Sequence, residues 1–336
     1  MTSSSGKSSP FSSSAIARWW TAIKQGPGIA AALSSAILLG FAPVLGKLAI
    51  NLGVSPLAVV AWRTGLAAGL VLLAVAIFWR RYLYIFPAGL LGCLLAGLIN
   101  GAGSILYYLA LQRLAASVGQ MLYSLYPFFV ALWLILDGQT PSRLTLFRIA
   151  LATGAAVLLT SLEAKGIDRV GIVMMLGAAA LYALHLPINQ RVLYEVPSPT
   201  VTLYTLLAMA AVVVPAFLVS DGPRLIVRAA WYPVLGLTLV TCLSRLALFL
   251  GVKRIGGMQT ALLGLAELVV AVLFSVLWLH ERLSPAQWIG AVALATSLIL
   301  VRFEAPHPRW RSDTRGWFSW IRPPSVPRDA PWGPHE

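Results

Sequence analysis

Residues 258–279 read MQTALLGLAELVVAVLFSVLWL, and Glu267 is the one charged side chain in the run. Wound as an α-helix, the run is about 33 Å long, enough to cross the roughly 30 Å hydrocarbon core of a bilayer. A soluble fold cannot shelter many such segments, yet they recur along the whole chain. Of its 336 residues, 59% are hydrophobic and 11% charged, with a mean hydropathy of +0.82. Lipid is therefore the solvent for most of the polypeptide.

Working outward from this run and breaking the apolar stretches at charge, Pro and Gly clusters gives ten expected spans. They lie near 29–50, 57–78, 87–110, 117–136, 146–163, 170–190, 200–220, 230–251, 258–279 and 286–302. Short connections such as Gly53-Val54-Ser55-Pro56 make successive helices antiparallel neighbours. A shift of 141 residues lays Leu111 to Trp133 over Val252 to Phe274, and a shift of 143 lays Ser55-Pro56 over Ser198-Pro199. The expected fold is thus all-α and integral to the membrane, with ten transmembrane helices as two five-helix repeats at 28–163 and 168–302. Five is odd, so the second repeat enters the membrane inverted, an arrangement suited to alternating access.

The net charge of +14 does not read as nucleic-acid binding, because Lys and Arg stand singly or in pairs between apolar runs and in the tails. Their excess on one side puts both termini in the cytosol, with the cell membrane as the expected location. Residues 1–27 are Ser-rich and basic, and no acidic residue precedes Asp137. They read as a cytosolic tail, with an organellar transit segment as the alternative. Residues 303–336, rich in Pro, Trp and Arg, read as a second cytosolic tail. Cys93 and Cys242 both fall in apolar runs, without metal spacing. There is no phosphate loop, metal cluster or catalytic set, so the expectation is a protein without enzymatic activity, cofactor or metal.

Charged and polar residues at membrane depth are expensive, and they carry the functional reading. Lys47 is near a helix end and can snorkel to the interface. Arg63, Arg245 and Glu267 are too deep for that. Glu267 is the one carboxylate in an expected span core, so it either clamps to an arginine or handles solute and protons. His185 is either a packing histidine or a second proton or gate candidate. Asn100, Ser104 and Tyr107 share one face of span 3, and Thr238, Thr241 and Arg245 one face of span 8. Gln120, Tyr123 and Tyr126 mark span 4, and Tyr182, His185 and Asn189 mark span 6. These stripes either line a solute path or serve as hydrogen-bonding glue between helices. Spans 5 and 10 lack a stripe and suit end supports or a homodimer face. Gly65, Gly69, Gly97 and Gly101 read as packing notches.

Several pieces carry a family resemblance. They are Arg63 after a Pro-led span, Ser124-Leu125-Tyr126-Pro127, Leu265-Ala266-Glu267, and Leu277-Trp278-Leu279-His280-Glu281-Arg282-Leu283 followed by Gln287-Trp288-Ile289-Gly290. Together they resemble the drug/metabolite transporter superfamily, in particular its ten-helix members with two EamA-type repeats. Leu268 departs from the Pro usual after the span 9 Glu, and Asp137-Gly138-Gln139 departs from a Glu-containing loop. The resemblance implies secondary transport, often export of amino acids, metabolites or drugs, through a cavity between the halves. The expected path residues are Arg63, Asn100, Ser104, Tyr107, Tyr123, Tyr126, Thr241, Arg245 and Glu267, with the arginines orienting a carboxylate or phosphate and Glu267 gating or carrying a proton. The expected partners are a small-molecule substrate and the lipid bilayer. A different reading is a non-transporting membrane partner or lipid-handling subunit that recruits through its tail; deleting residues 303–336 separates the two.

Overall fold

The computed structural model describes residues 13–138, 142–161, 168–220 and 228–280, with scattered positions between 285 and 300. Every regular element named among these residues is helical. In chain order they are α1 (Ser13–Gly40), α2 (Ala42–Asn51), α3 (Pro56–Phe78), α4 (Pro87–Arg113), α5 (Ala116–Tyr123), α6 (Tyr126–Leu136) and α7 (Arg143–Ser161). Then follow α8 (Arg169–Leu193), α9 (Ser198–Ser220), α10 (Trp231–Ile255), α11 (Gly257–Gly264) and α12 (Ala266–Trp278). Among the described residues, eight segments are long and apolar enough to span a bilayer, from Gly26–Asn51 through Gly257–Trp278. Helix α7 stands where the fifth span was expected. Only scattered positions of the expected tenth span are among the described residues. Helix α1 begins within the stretch read as a tail, although its membrane-competent part starts at Gly26.

Large apolar side chains point away from the protein along these helices, among them Leu73, Leu91, Val173, Leu239 and Leu277. The polar residues point inward instead, including Asn100, Gln120, His185, Arg245 and Glu267. That inversion of the soluble pattern is stable only where hydrocarbon surrounds the bundle. The chain is an integral membrane protein.

The chief packing partners recur in pairs. Helix α4 lies along α8 as α1 lies along α10, and α4 also packs on α9 as α3 packs on α10. Close approach of α4 to α9 rests on Gly97 and Gly101. A Cβ at Gly97 would come within 2.6 Å of the Thr205 carbonyl, and one at Gly101 within 3.1 Å of Val212. Gly65 and Gly69 are not such notches: the nearest atom to a Cβ at Gly65 is 3.6 Å away, and nothing lies within 4 Å at Gly69.

Two spans are broken at corresponding places, α5/α6 at Ser124-Leu125 and α11/α12 at Leu265. In the first, Pro127 supplies no N–H and its ring crowds the preceding turn. Leu125 N bonds the Leu122 carbonyl, and the Met121 carbonyl thus freed accepts from Ser124 Oγ at 2.6 Å. In the second there is no proline. Leu265 N bonds the Leu262 carbonyl, and the freed Ala261 carbonyl accepts from the Tyr126 hydroxyl at 2.9 Å. One break therefore satisfies the other, as buried backbone groups require.

Helix ends are tied across the bundle. Lys47 Nζ donates to the Leu111 and Leu114 carbonyls at 2.8 Å each, so it caps the C-terminus of α4 rather than snorkelling to water. Lys47→Met should lower stability by about 1 kcal/mol, read from unfolding of the purified protein in detergent. At the same end of the bundle, Asp168 caps α8 through Val170 N and Gly171 N and pairs with Arg113 at 2.6 Å. The Arg113 guanidinium, with those backbone donors behind it, holds the Asp168 carboxyl below its ordinary value of 3.8. A depressed carboxyl stabilises the fold above its unfolded value and loses that contribution as pH falls through the folded one. Asp168→Asn should therefore melt below wild type at neutral pH, and the two curves should converge below about pH 3.8. The opposite end holds a buried pair, Arg191 Nη2 to Asp137 Oδ2 at 2.6 Å, joining α8 to the end of α6.

Candidate functional site

Six helices deliver polar side chains to one place in the middle of the bundle. A cavity of about 40 Å³ is lined by Arg63 from α3, Ser104, Tyr107 and Tyr108 from α4, Tyr123 from α5, Tyr182 from α8, Arg245 from α10 and Glu267 from α12. Leu39, Ala42 and Gly103 complete the wall, the first two flanking the junction of α1 and α2. A space of this size admits water, and the lining gives such water polar partners.

Arg63 is held from both halves of the chain. Its Nη1 donates to Thr241 Oγ1 and its Nη2 to Ser104 Oγ, both at 3.3 Å, while the guanidinium carbon stands 4.8 Å over the Tyr108 ring. Arg245 faces the same space from the other side. The Asn100 amide turns its oxygen toward this donor-only group, accepting from Nη1 at 3.2 Å and Nη2 at 2.8 Å. His185 Nε2 stands 3.2 Å from Arg245 Nη1, and its Nδ1 meets the Tyr182 carbonyl. A carbonyl can only accept and a guanidinium can only donate. Those partners assign the proton to Nδ1 and leave Nε2 as a lone-pair acceptor.

Glu267 forms no clamp with either arginine. Its Oε1 accepts from Gln120 Nε2 at 2.9 Å, Gln120 Oε1 in turn accepts from the Tyr107 hydroxyl at 3.2 Å, and Oε2 has no hydrogen-bond partner. The arginine Nη groups are instead met by hydroxyl, amide and imidazole groups, and each guanidinium stands over a tyrosine ring. The rings form a continuous cluster: Tyr123 packs on Tyr107 at 4.9 Å, on Tyr182 at 5.3 Å and on Tyr126 at 5.8 Å.

The ten residues singled out from sequence thus fall in one cluster with two layers. Arg63, Ser104, Tyr107, Tyr123, Arg245 and Glu267 line the cavity. Asn100, Thr241 and His185 stand behind and position the arginines, and Tyr126 braces the α11/α12 break. Thr238, on the same helical stripe as Thr241, turns back to the Val234 carbonyl of its own helix and takes no part. Tyr108 is the site residue that sequence reading missed. It follows Tyr107 directly, and helical periodicity assigns only one of two adjacent residues to a face. Asn189, expected in the same stripe as His185, pairs with Thr205 on α9 away from the cavity wall.

Comparison with known proteins gives concordant findings. The pattern of the EamA-like transporter family matches residues 26–161 and again residues 169–303. An uncharacterized transporter of Bacillus subtilis (strain 168), YcbK, is 26% identical over 264 residues, spanning 73% of this chain and 82% of that protein. A crystal structure of another protein, 19% identical, has a TM-score of 0.61 and covers 81% of this chain and 99% of that one, which supports the fold.

Proposed function

Since the chain belongs to the EamA-like transporter family and is a membrane transporter rather than an enzyme, we propose that it exports a small metabolite or amino acid across the cell membrane by secondary active transport. Two inverted halves alternate access to the central cavity, with both termini cytoplasmic. What supports this reading most is the lining of the cavity. Arg63, Ser104, Tyr107 and Tyr123 come from the first family-matched stretch, and Tyr182, Arg245 and Glu267 from the second. A space built from both halves changes shape when the halves rock against each other. In this mechanism the arginines orient the solute, the tyrosines grip its body, and Glu267 gates or carries a proton, its free oxygen being the site for either role.

The test is side-resolved labelling of Ser104→Cys in oriented proteoliposomes, combined with solute flux. Alternating access expects the thiol to react from one compartment at a time, with the side changing as solute or pH is varied. A thiol that stays dry from both compartments under every condition would sink the reading. Gly264 is unsuited to the same experiment, because any side chain there meets Tyr126.

A further inference from the structure

We infer that the cavity is built for a small solute of net negative charge, whose carboxylate is received between Arg63 and Arg245. The inference rests on the transport reading above and narrows its substrate class. Arg63 is 7% exposed and Arg245 5%, both at membrane depth, where an uncompensated cation is costly. Every group bonded to them is neutral: the hydroxyls of Ser104 and Thr241, the Asn100 amide and the His185 imidazole. Glu267 is the sole carboxylate among the side chains that line the cavity, and its bonded oxygen is turned to Gln120. With Glu267 ionised the cavity carries two cations against one anion; with Glu267 protonated it carries two against none. Both states leave a net positive charge.

Hydrogen bonding points the same way. Four buried polar atoms without a partner belong to side chains of this one cavity: Arg63 Nε, Arg245 Nε, the Tyr108 hydroxyl and Glu267 Oε2. The two guanidinium N–H groups and the phenol can all donate, and such groups are rarely left unpaired in a folded interior. A carboxylate offers several lone pairs and the missing charge together. An amine would add a third cation, and a zwitterion would leave the imbalance unchanged. The rings of Tyr107, Tyr123 and Tyr182 are left to hold the organic body.

The experiment is thermal unfolding of the full-length protein in detergent at constant ionic strength, with probes matched in size: propionate, β-alanine and propylamine, then benzoate and benzylamine. Propionate or benzoate should raise the midpoint in a saturable way, and the amines should not. Arg63→Gln and Arg245→Gln should each weaken carboxylate binding by about tenfold or more. Arg245→Lys, which keeps the charge, should recover part of it. At a pH where Glu267 is ionised, Glu267→Gln removes the one negative charge and should tighten binding. That reversal of sign separates a charge-reading site from a structural one. Stabilisation by the amines instead, no carboxylate effect, or a carboxylate effect untouched by both arginine variants would each overturn the inference. The two readings fail separately. Amine binding that is lost in Glu267→Gln leaves transport standing and removes the anion. Carboxylate binding without flux of labelled carboxylate into proteoliposomes removes transport and keeps the anion site.

Discussion

Gly264→Ala should destabilise the protein by about 1–3 kcal/mol and slow any flux that requires the broken ninth span to move. The reason is the contact that joins the two helix breaks. A Cβ at Gly264 would collide with the Tyr126 hydroxyl, and the ring carbon Cζ lies 3.1 Å from the same point. The hydroxyl cannot simply rotate away, because it donates to the Ala261 carbonyl that the break at Leu265 has freed. Either the bond is lost or the helices separate. Tyr126→Phe alone should cost about 1 kcal/mol or more by leaving that buried carbonyl without its donor. Adding Gly264→Ala in the Phe background should cost clearly less than in wild type, since the atom of closest approach is gone. Unfolding of the four proteins in detergent completes the cycle. Strict additivity would mean that the contact is unimportant.

This contact also marks where sequence reading reached its limit. Apolar length revealed the spans, since hydrocarbon thickness acts on every segment alike. The 141-residue offset aligned the two spans, placing Tyr126 over Glu267 and Tyr123 over Gly264. Helical period selected the faces carrying Ser104, Tyr107 and Arg245, and those faces do meet at the cavity. Period assigns a face but names no partner. Glu267 looked like the countercharge of an arginine because it was the one carboxylate at depth, yet Gln120 reaches it and neutral acceptors reach both arginines. Lys47 looked like a snorkelling side chain because it lies near a helix end. The carbonyls it caps belong to the last turn and the C-cap of α4, 64 and 67 residues away. Neither break was legible in the sequence, where 117–136 and 258–279 read as unbroken spans; the second carries no proline, Leu268 standing in the place of Pro127, and what satisfies it is a tyrosine from the other half.

Asp137→Asn should produce the largest loss of stability, about 3–5 kcal/mol, although it preserves shape and removes only charge. Asp137 and Arg191 are both nearly fully buried, and their charged atoms stand 2.6 Å apart. Asp137 reads from sequence as a loop residue, but with Arg191 it joins the first half to the second at one end of the bundle. Removing one partner leaves Arg191 buried without this countercharge, which costs far more than the pair contributes over an apolar replacement. Asp137→Asn combined with Arg191→Met should therefore recover much of the loss, and unfolding of wild type and the two variants in detergent measures it. If the double variant is no more stable than the single, the ion pair is not the source of the effect. With stability recovered, the double variant also isolates the functional part of the pair. Where alternating access opens this end of the bundle, the closed state has lost a tie that the open state never had, so Ser104→Cys in that background should become more reactive from the Asp137 side.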